Sequence, residues 1–522
     1  MIEIAARKAK VAPNPMKVLI INCYFPEVRA PVKLVNEIPN ALAPVFLAGA
    51  FAPTMCDVRL YNEVTSGFLE IFEPDLLSWP DMVVFTGLTT TFDRMLQLTA
   101  YLRTINPSVI TVAGGLAIQS LRSYAVDFFD YTCVNDVEEI RDVIADAWGA
   151  DYAADHIMPR YDLAYWIRRK IGYVESSRNC NFRCSFCVLT ADGKRYEPRS
   201  IDRLREQIIA LGRRELLHFQ DNQFHGGDRE FFLDRLQLLR DMRRAGYFKY
   251  WSAFVTDAFF WNDEDIALAA EAGCFSLFVG VESFDDAWLR RVNKTQNNRY
   301  SQTHLIQKCC DAGILFQYGL VFDPTERTVD DLHREMGAIC DNADVPAPNF
   351  VFLAIPLPGT PFFRDRVDRG LLLPNTSVRD LEGSTLSVQP LDGVGRVAHF
   401  LSTGKHFRGY TRRLVAHQSR FLWRYRKSFR AMQSIASSLC VGSLVAPTQV
   451  SNPRYALWRA PPRTHISSTE RLDPVYQPQR RVDAAYRSFF EPTMVTDPAG
   501  ELNEALADDL LAERYRQRVA VC

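Results

Sequence analysis

Residues 176–187 read SSRNCNFRCSFC, and the three cysteines in this stretch, Cys180, Cys184 and Cys187, are spaced C-x3-C-x2-C. Three thiolates within eight residues can hold three corners of a cubic iron–sulfur cluster and leave one iron without a protein ligand. An open iron can chelate a small molecule, so the motif points to a reactive site rather than an electron relay. Two other uses of close cysteines stand beside this one. A zinc site would combine the triplet with a second CxxC-like pair, and the chain has none. Disulfides would need partners, and the other nine cysteines (Cys23, Cys56, Cys133, Cys274, Cys309, Cys310, Cys340, Cys440 and Cys522) do not form such a framework. The start, MIEIAARKAK, is charged with no apolar run after it, which predicts no secretory signal and a cytoplasmic chain. Cysteines scattered in a reducing compartment are small buried hydrophobes.

The length of 522 residues suits two or three domains, and 47% apolar with 24% charged residues is the composition of a globular protein. A net charge of −1 and the absence of any nucleic-acid module give no reason to expect a nucleic-acid partner. No apolar run reaches the length of a membrane span. Charge is unevenly placed, however: residues 393–469 contain no acid, while Arg and Lys recur.

Downstream of the cysteines the pattern alternates. Apolar runs at 171–175, 215–224, 250–259, 274–283, 314–324 and 349–361 predict six strands, and five helical segments lie between them. Ser200 is a predicted N-cap for the first of these helices. The fold expected is a partial (β/α)6 barrel over residues 171–370, with chemistry at the strand ends. Asp221 and Asn222 end the second strand, and Glu282 and Ser283 end the fourth. They are candidate ligand contacts, or helix caps.

Upstream, 17–23, 57–63, 82–88, 109–115 and 131–136 read as five strands alternating with helices. They predict a doubly wound, flavodoxin-like parallel sheet over residues 1–150, followed by a linker at 151–170. Thr86, Gly87 and Thr89 follow the third strand, and Gly114 and Gly115 follow the fourth. Small residues there let a backbone approach a bulky ligand, or simply make tight turns.

Residues 170–365 resemble the radical S-adenosylmethionine (SAM) superfamily. SSRNCNFRCSFC is similar to that family's SSRGCPxxCxFC, with Asn179 where Gly is usual. QDNQF resembles its DDNF, GVESFDDAWLRRVNKTQN its GIESGSxxxLxxxNKxQ, and PLPGTPFF its PxPGTPLY. The resemblance implies that Cys180, Cys184 and Cys187 bind a 4Fe-4S cluster whose open iron takes SAM. It implies that Phe186 borders the adenine and that Asp221, Asn222 and Glu282 touch SAM. It also implies a small-molecule substrate and an electron donor such as a flavodoxin or ferredoxin. The N-terminal part is similar to the cobalamin-binding domain of one branch of that superfamily, through YFP (24–26), PVFLAGAF (44–51), the TG-x-T-T segment and the Gly114–Gly115 pair. It departs at GGLAIQ, where GGPH is usual, and at NDVEE (135–139), where GEGE is usual. The function expected is cobalamin-dependent methylation of an unactivated carbon. Radical cyclisation or rearrangement, with or without cobalamin, is the alternative, and a non-catalytic iron–sulfur sensor is the third reading. No catalytic residue is assigned.

The remaining 371–522 reads as a mostly helical, basic region. Residues 401–430 hold nine Lys or Arg with interleaved aromatics. They form either a packed subdomain with a solvated basic face or a face for a peripheral membrane surface. Irregular chain beyond 447 and an acidic helix at 500–519 complete the expectation.

Overall fold

Short β-branched and aliphatic runs become the strands of two parallel sheets. The computed structural model describes residues 14–24, 41–167, 170–374, 376–383, 385–403, 405–442, 449–450, 493–497 and 500–503. The first sheet contains β1 (Met16–Asn22), β2 (Cys56–Asn62), β3 (Met82–Thr86), β4 (Ile110–Gly114) and β5 (Tyr131–Thr132). Its order is β2-β1-β3-β4-β5, with every pairing parallel. Successive side chains serve opposite faces. Val18, Ile20, Val84 and Val112 enter one core, and Leu19, Ile21, Val83 and Phe85 enter the other. A sheet buried on both faces explains why these strands read as continuous apolar runs. The order reverses between β1 and β3, which opens a crevice at their C-terminal ends.

The expected linker at 151–170 is not free chain. Phe51 bridges Ala153, and Ile157, Ala164 and Trp166 are buried in the core beside β1. The second sheet follows with β6 (Ile171–Val174). A short antiparallel pair, β7 (Ser177–Arg178) with β8 (Glu197–Pro198), brackets the cysteine loop. The sheet continues with β9 (Leu216–Phe219), β10 (Tyr250–Val255), β11 (Cys274–Glu282), β12 (Leu315–Phe322) and β13 (Phe350–Leu353). Its order, β13-β12-β11-β10-β9-β6, is parallel throughout, the half-barrel expected from the six runs. Leu217, Trp251, Leu277 and Leu320 line its fully buried outer face.

Helix starts follow local chemistry. Ser200 caps Ile201–Leu211 by accepting from the Arg203 amide at 3.2 Å. Asp228 caps Arg229–Arg244, and Thr328 with Asp331 forms a capping box at Val329–Asp341. Helices Val394–Thr403, Lys405–Arg424 and Ala431–Gly442 bear out a helical C-terminal region. Thr493 returns to the helix Phe92–Ile105 that follows β3, where its amide and hydroxyl donate to Asp93, the carboxylate that also pairs with Arg379. The YFP proline at 26, residues 451–492 and most of the expected terminal helix lie outside the described residues. The described residues 500–503 are not helical.

Candidate functional site

The cysteine loop leaves the end of β6 and is held by a buried latch. Asp221, at the end of β9 and fully buried, accepts from the Ser176 amide at 2.8 Å and from the Ser176 hydroxyl at 2.6 Å. It also accepts from the Ser177 hydroxyl and pairs with the buried Arg235 at 3.3 Å. Burial pushes the Asp221 carboxyl up, and the attraction of Arg235 opposes it. These partners correct both expectations for Asp221. It caps no helix and has no open face for SAM; it anchors the residues that lead into Cys180. Asn222 accepts from the Asn179 amide at 3.1 Å. Asn179 has φ of 61°. The left-handed conformation explains why Gly is usual here and why Asn, which tolerates that region best among other residues, stands in for it.

Cys184 is buried, and Cys180 and Cys187 are half-buried; the ten cysteines from Cys23 to Cys340 are free thiols. Amide donors aim at two of the sulfurs: Phe182 N–H to Cys180 Sγ at 3.5 Å, and Gln296 Nε2 to Cys184 Sγ at 3.6 Å. Such contacts stabilise thiolates bound to iron. Burial pushes the Cys187 thiol up to about 11 and also raises Cys180, so metal must displace the protons. Among the described residues no three His, Cys, Asp or Glu side chains converge as around a single ion. A cubane binds its thiolates through separate irons, further apart.

Glu282, at the end of β11, also has φ of 61°, and the pairing with β12 shifts register beside it. A non-glycine residue held there is a strained conformation of the kind found at functional sites. Its carboxylate pairs with Lys294 at 3.2 Å. Burial alone would lower the Lys294 ammonium; Glu282, Cys184 and Asp257 outweigh it and hold the ammonium above its usual range. Asp257, just past β10, is buried, accepts from Gln302, and is pushed by burial up to about 7. Ser283 departs from its expectation. It is fully buried and donates to Glu335 at 2.6 Å while accepting from Arg327 at 3.1 Å, so it faces protein rather than cofactor. Phe186 stacks at 10° on Trp288, with ring centres 6.3 Å apart.

Between the two sheets lies a cavity of about 290 Å³. Thr86, Gly114 and Gly115 line it from the first sheet, and Arg178, Asn179 and Asn222 from the cysteine loop and β9. Phe46, Val84, Val112 and Ile140 form an apolar part of its wall, and among the described residues no histidine lines it. Gly87 and Thr89 do not line it: Gly87 packs against its own turn near Thr91, and Thr89 is buried. The altered NDVEE turn has a task of its own. Glu138 accepts from Arg178 at 2.6 Å and from Arg199 at 3.0 Å, and Asp136 pairs with Lys194 at 3.0 Å. Burial works to raise the Glu138 carboxyl, but the two arginines outweigh it and hold it below its usual range. The first sheet is thereby clamped to the cysteine loop.

Residues 174–336 match the Radical SAM superfamily. This stretch is a radical SAM domain. Its cofactors are a 4Fe-4S cluster and SAM. The chain is 26% identical over 37% of its length to bacteriochlorophyllide d C-12(1)-methyltransferase of Chlorobaculum tepidum, covering 42% of that protein. It is 23% identical over 51% of its length to hopanoid C-2 methylase of Rhodopseudomonas palustris, covering 53% of that protein. The chain thus aligns with about half the length of these relatives. Its fold is similar to that of the cobalamin-dependent SAM radical enzyme OxsB with aqua-cobalamin bound. That likeness has a TM-score of 0.58 at 13% identity and covers 97% of this chain and 81% of OxsB. No described helix is long and apolar enough to cross a membrane. Lys294, Gln296, Asp257 and the clamp escaped sequence reasoning; only the NKxQ spacing marked the first two.

Proposed function

We propose that the chain is a cobalamin-dependent radical SAM methylase acting on an unactivated carbon of a small molecule. The observation that carries this reading is the cavity between the end of a nucleotide-type sheet and a loop of three cysteines. The cofactors supply, when bound, a 5′-deoxyadenosyl radical from one-electron cleavage of SAM and a methyl group carried on the corrin. A flavodoxin- or ferredoxin-type donor provides the electron. In this reading Cys180, Cys184 and Cys187 hold three irons, and Gln296 and the Phe182 amide donate to their sulfurs. Glu282, steadied by Lys294, receives the SAM ammonium; Asn222 meets the ribose; and Phe186, braced by Trp288, borders the adenine. Asp221 and Arg235 keep the loop in place. The apolar wall of Phe46, Val84, Val112 and Ile140 would exclude water from a corrin held in this cavity. The relatives named above methylate, by their names, a bacteriochlorophyllide and a hopanoid.

Reduced, anaerobically reconstituted protein is expected to convert SAM to 5′-deoxyadenosine, and to S-adenosylhomocysteine when cobalamin is present. Neither product from cluster-loaded protein would refute the enzyme reading. Hydroxocobalamin is expected to bind at about one per chain, with a spectrum free of histidine ligation, because no imidazole lines the cavity. Gly114→Leu is the informative variant. A Cβ there stands 3.5 Å from Cys133 Cβ, an ordinary contact, and both residues line the cavity. The added side chain fills the cavity without straining the turn. Gly115 would mislead, since φ of 85° and Thr86 Oγ1 at 3.0 Å disturb any substitution. Gly114→Leu is expected to weaken cobalamin binding at least tenfold, read by equilibrium dialysis, with cluster content unchanged. Unaltered binding would remove the corrin from this cavity.

A peripheral membrane contact is part of the proposal. Trp423, Met432, Ile435 and Leu439 are exposed on the helical pair, and the Arg426 guanidinium lies 4.2 Å over the Trp423 ring. Vesicles of phosphatidylcholine with phosphatidylglycerol are expected to retain the protein at low salt and to release it as salt rises. Equal retention on phosphatidylcholine alone, or none on either, would return these helices to ordinary packing.

A further inference from the structure

The inner face of the half-barrel carries a feature that cofactor binding leaves unused. Strand register puts Tyr173 beside His218, His218 beside Ser252, Phe254 beside Phe278, Phe278 beside Gln317, and Gly319 beside Phe350. Residues paired across parallel strands share a face, and this face is opposite to the one holding Leu217, Trp251, Leu277 and Leu320. Along it the rings form a continuous ladder. His218 meets Phe254 edge-on at 5.1 Å, Phe254 meets Phe278 at 5.7 Å, Phe278 stacks on Phe350 at 5.7 Å and 15°, and Phe350 stacks on Phe352 at 4.4 Å and 24°.

Three observations separate this ladder from ordinary core. Phe254, Phe278, Phe350 and Phe352 are each only half-buried and stand outside the contiguous hydrophobic core. A closed barrel fills its interior with side chains, and these rings instead keep part of their surface accessible among the described residues. The wall also has a built gap. A Cβ on Gly319 would come 2.1 Å from the Phe350 ring, so the glycine in β12 is what lets that ring lie across its neighbouring strand. Finally, the wall is uncharged as far as Gly280, beyond which the Glu282–Lys294 pair marks its cluster end. His218 is pushed down to about 4 by burial, which keeps it neutral, and the other paired positions are aromatic, aliphatic, Ser, Gln or Gly.

We propose that this aromatic wall is the substrate subsite and that the substrate is a neutral molecule with an extended apolar ring face, a flat aromatic or fused polycyclic compound. The inference rests on the methylase reading for its chemistry but not for its geometry. The same strands that carry the rings end at the cysteine loop and at Glu282, so a ring system lying on the wall is presented toward the cluster end of the barrel. Charged substrates lose solvation against such a wall and find no partner on it.

The test uses the full chain with its cluster, and pyrene as the probe, read by energy transfer from tryptophan. Saturable binding is expected. The double variant Phe278→Leu/Phe350→Leu keeps apolar volume but removes two stacking faces, so it retains cluster and fold. It is expected to bind pyrene at least tenfold more weakly. Pyrenetetrasulfonate, the same ring with four charges, is expected not to compete. Unchanged pyrene affinity in the double variant, or equal competition by the sulfonate, would overturn the proposal. SAM cleavage by the wild type is measured in parallel, so the two readings fail separately. A chain that cleaves SAM but binds pyrene elsewhere loses the substrate class alone. A chain that binds pyrene on this wall but cleaves no SAM keeps the subsite and loses the methylase.

Discussion

Replacing Cys180, Cys184 and Cys187 together with alanine is expected to take the reconstituted protein from about four irons per chain to almost none, and SAM cleavage with it. The size of the effect follows from how the loop is built. Its three sulfurs sit within eight residues on a segment fixed at both ends, by Asp221 before Cys180 and by the hydroxyl of Thr190, which donates to the Cys184 carbonyl at 2.8 Å after it. Among the described residues no second group of His, Cys, Asp or Glu side chains converges elsewhere that would offer a replacement site. Cys133 lines the cavity, but its thiol is pushed by burial up to about 12, and Cys274, Cys309 and Cys310 are buried under the barrel strands. Iron analysis and the absorption of the cluster check the first half, and chromatography of 5′-deoxyadenosine checks the second. Iron that survives the triple substitution would mean that other ligands bind it. The folded state should survive, because small apolar side chains replace thiols that make few contacts without metal. A circular-dichroism melt of the apo forms separates loss of ligand from loss of fold.

Much of the fold was legible because its signals are local. β-branched runs at regular intervals marked the eleven strands of the two large sheets, and Ser200 was readable as a cap since its partner lies three residues on. The cysteine triplet was readable for the same reason. The missed features depend on partners far apart in the chain. Nothing near Asp221 announces that its oxygens meet Ser176 and Ser177, 45 and 44 residues earlier. A carboxylate at a strand end reads as a ligand contact until burial and partners are known. Ser283 misled in the same way. Lys294 lies in a charged, helix-ending stretch that reads as surface, and only the fold buries it between Glu282 and Cys184. The NDVEE turn looked like a degraded motif, whereas Asp136 and Glu138 had exchanged one role for another, clamping Lys194, Arg178 and Arg199. Asn179 shows the reverse case: a departure from the usual Gly that φ of 61° explains as a tolerated substitute.

The Asp221 latch gives the largest expected effect on stability. Arg235 is fully buried, and apart from Asp221 it has the Ser176 hydroxyl at 2.9 Å, the Phe224 carbonyl and the Phe224 ring 3.6 Å away. None of these carries a charge. Asp221→Ala therefore leaves a buried guanidinium without its counter-ion and strips two serine hydroxyls and an amide of their acceptor. Breaking such a pair from one side costs about 3–5 kcal/mol. The apo protein is expected to melt well below wild type, and the reconstituted protein to hold less iron, because the residues entering Cys180 lose their anchor. Arg235→Met in the same chain removes the orphaned charge and keeps much of the side-chain volume, so the double variant is expected to recover part of the lost stability. Recovery distinguishes an ion pair from packing, since an additive loss would mean that the two side chains act independently. SAM affinity decides between latch and ligand. If Asp221→Ala melts like wild type, keeps its iron and binds SAM more weakly, the carboxylate touches SAM after all, and the burial that assigns it to the loop does not describe the working enzyme.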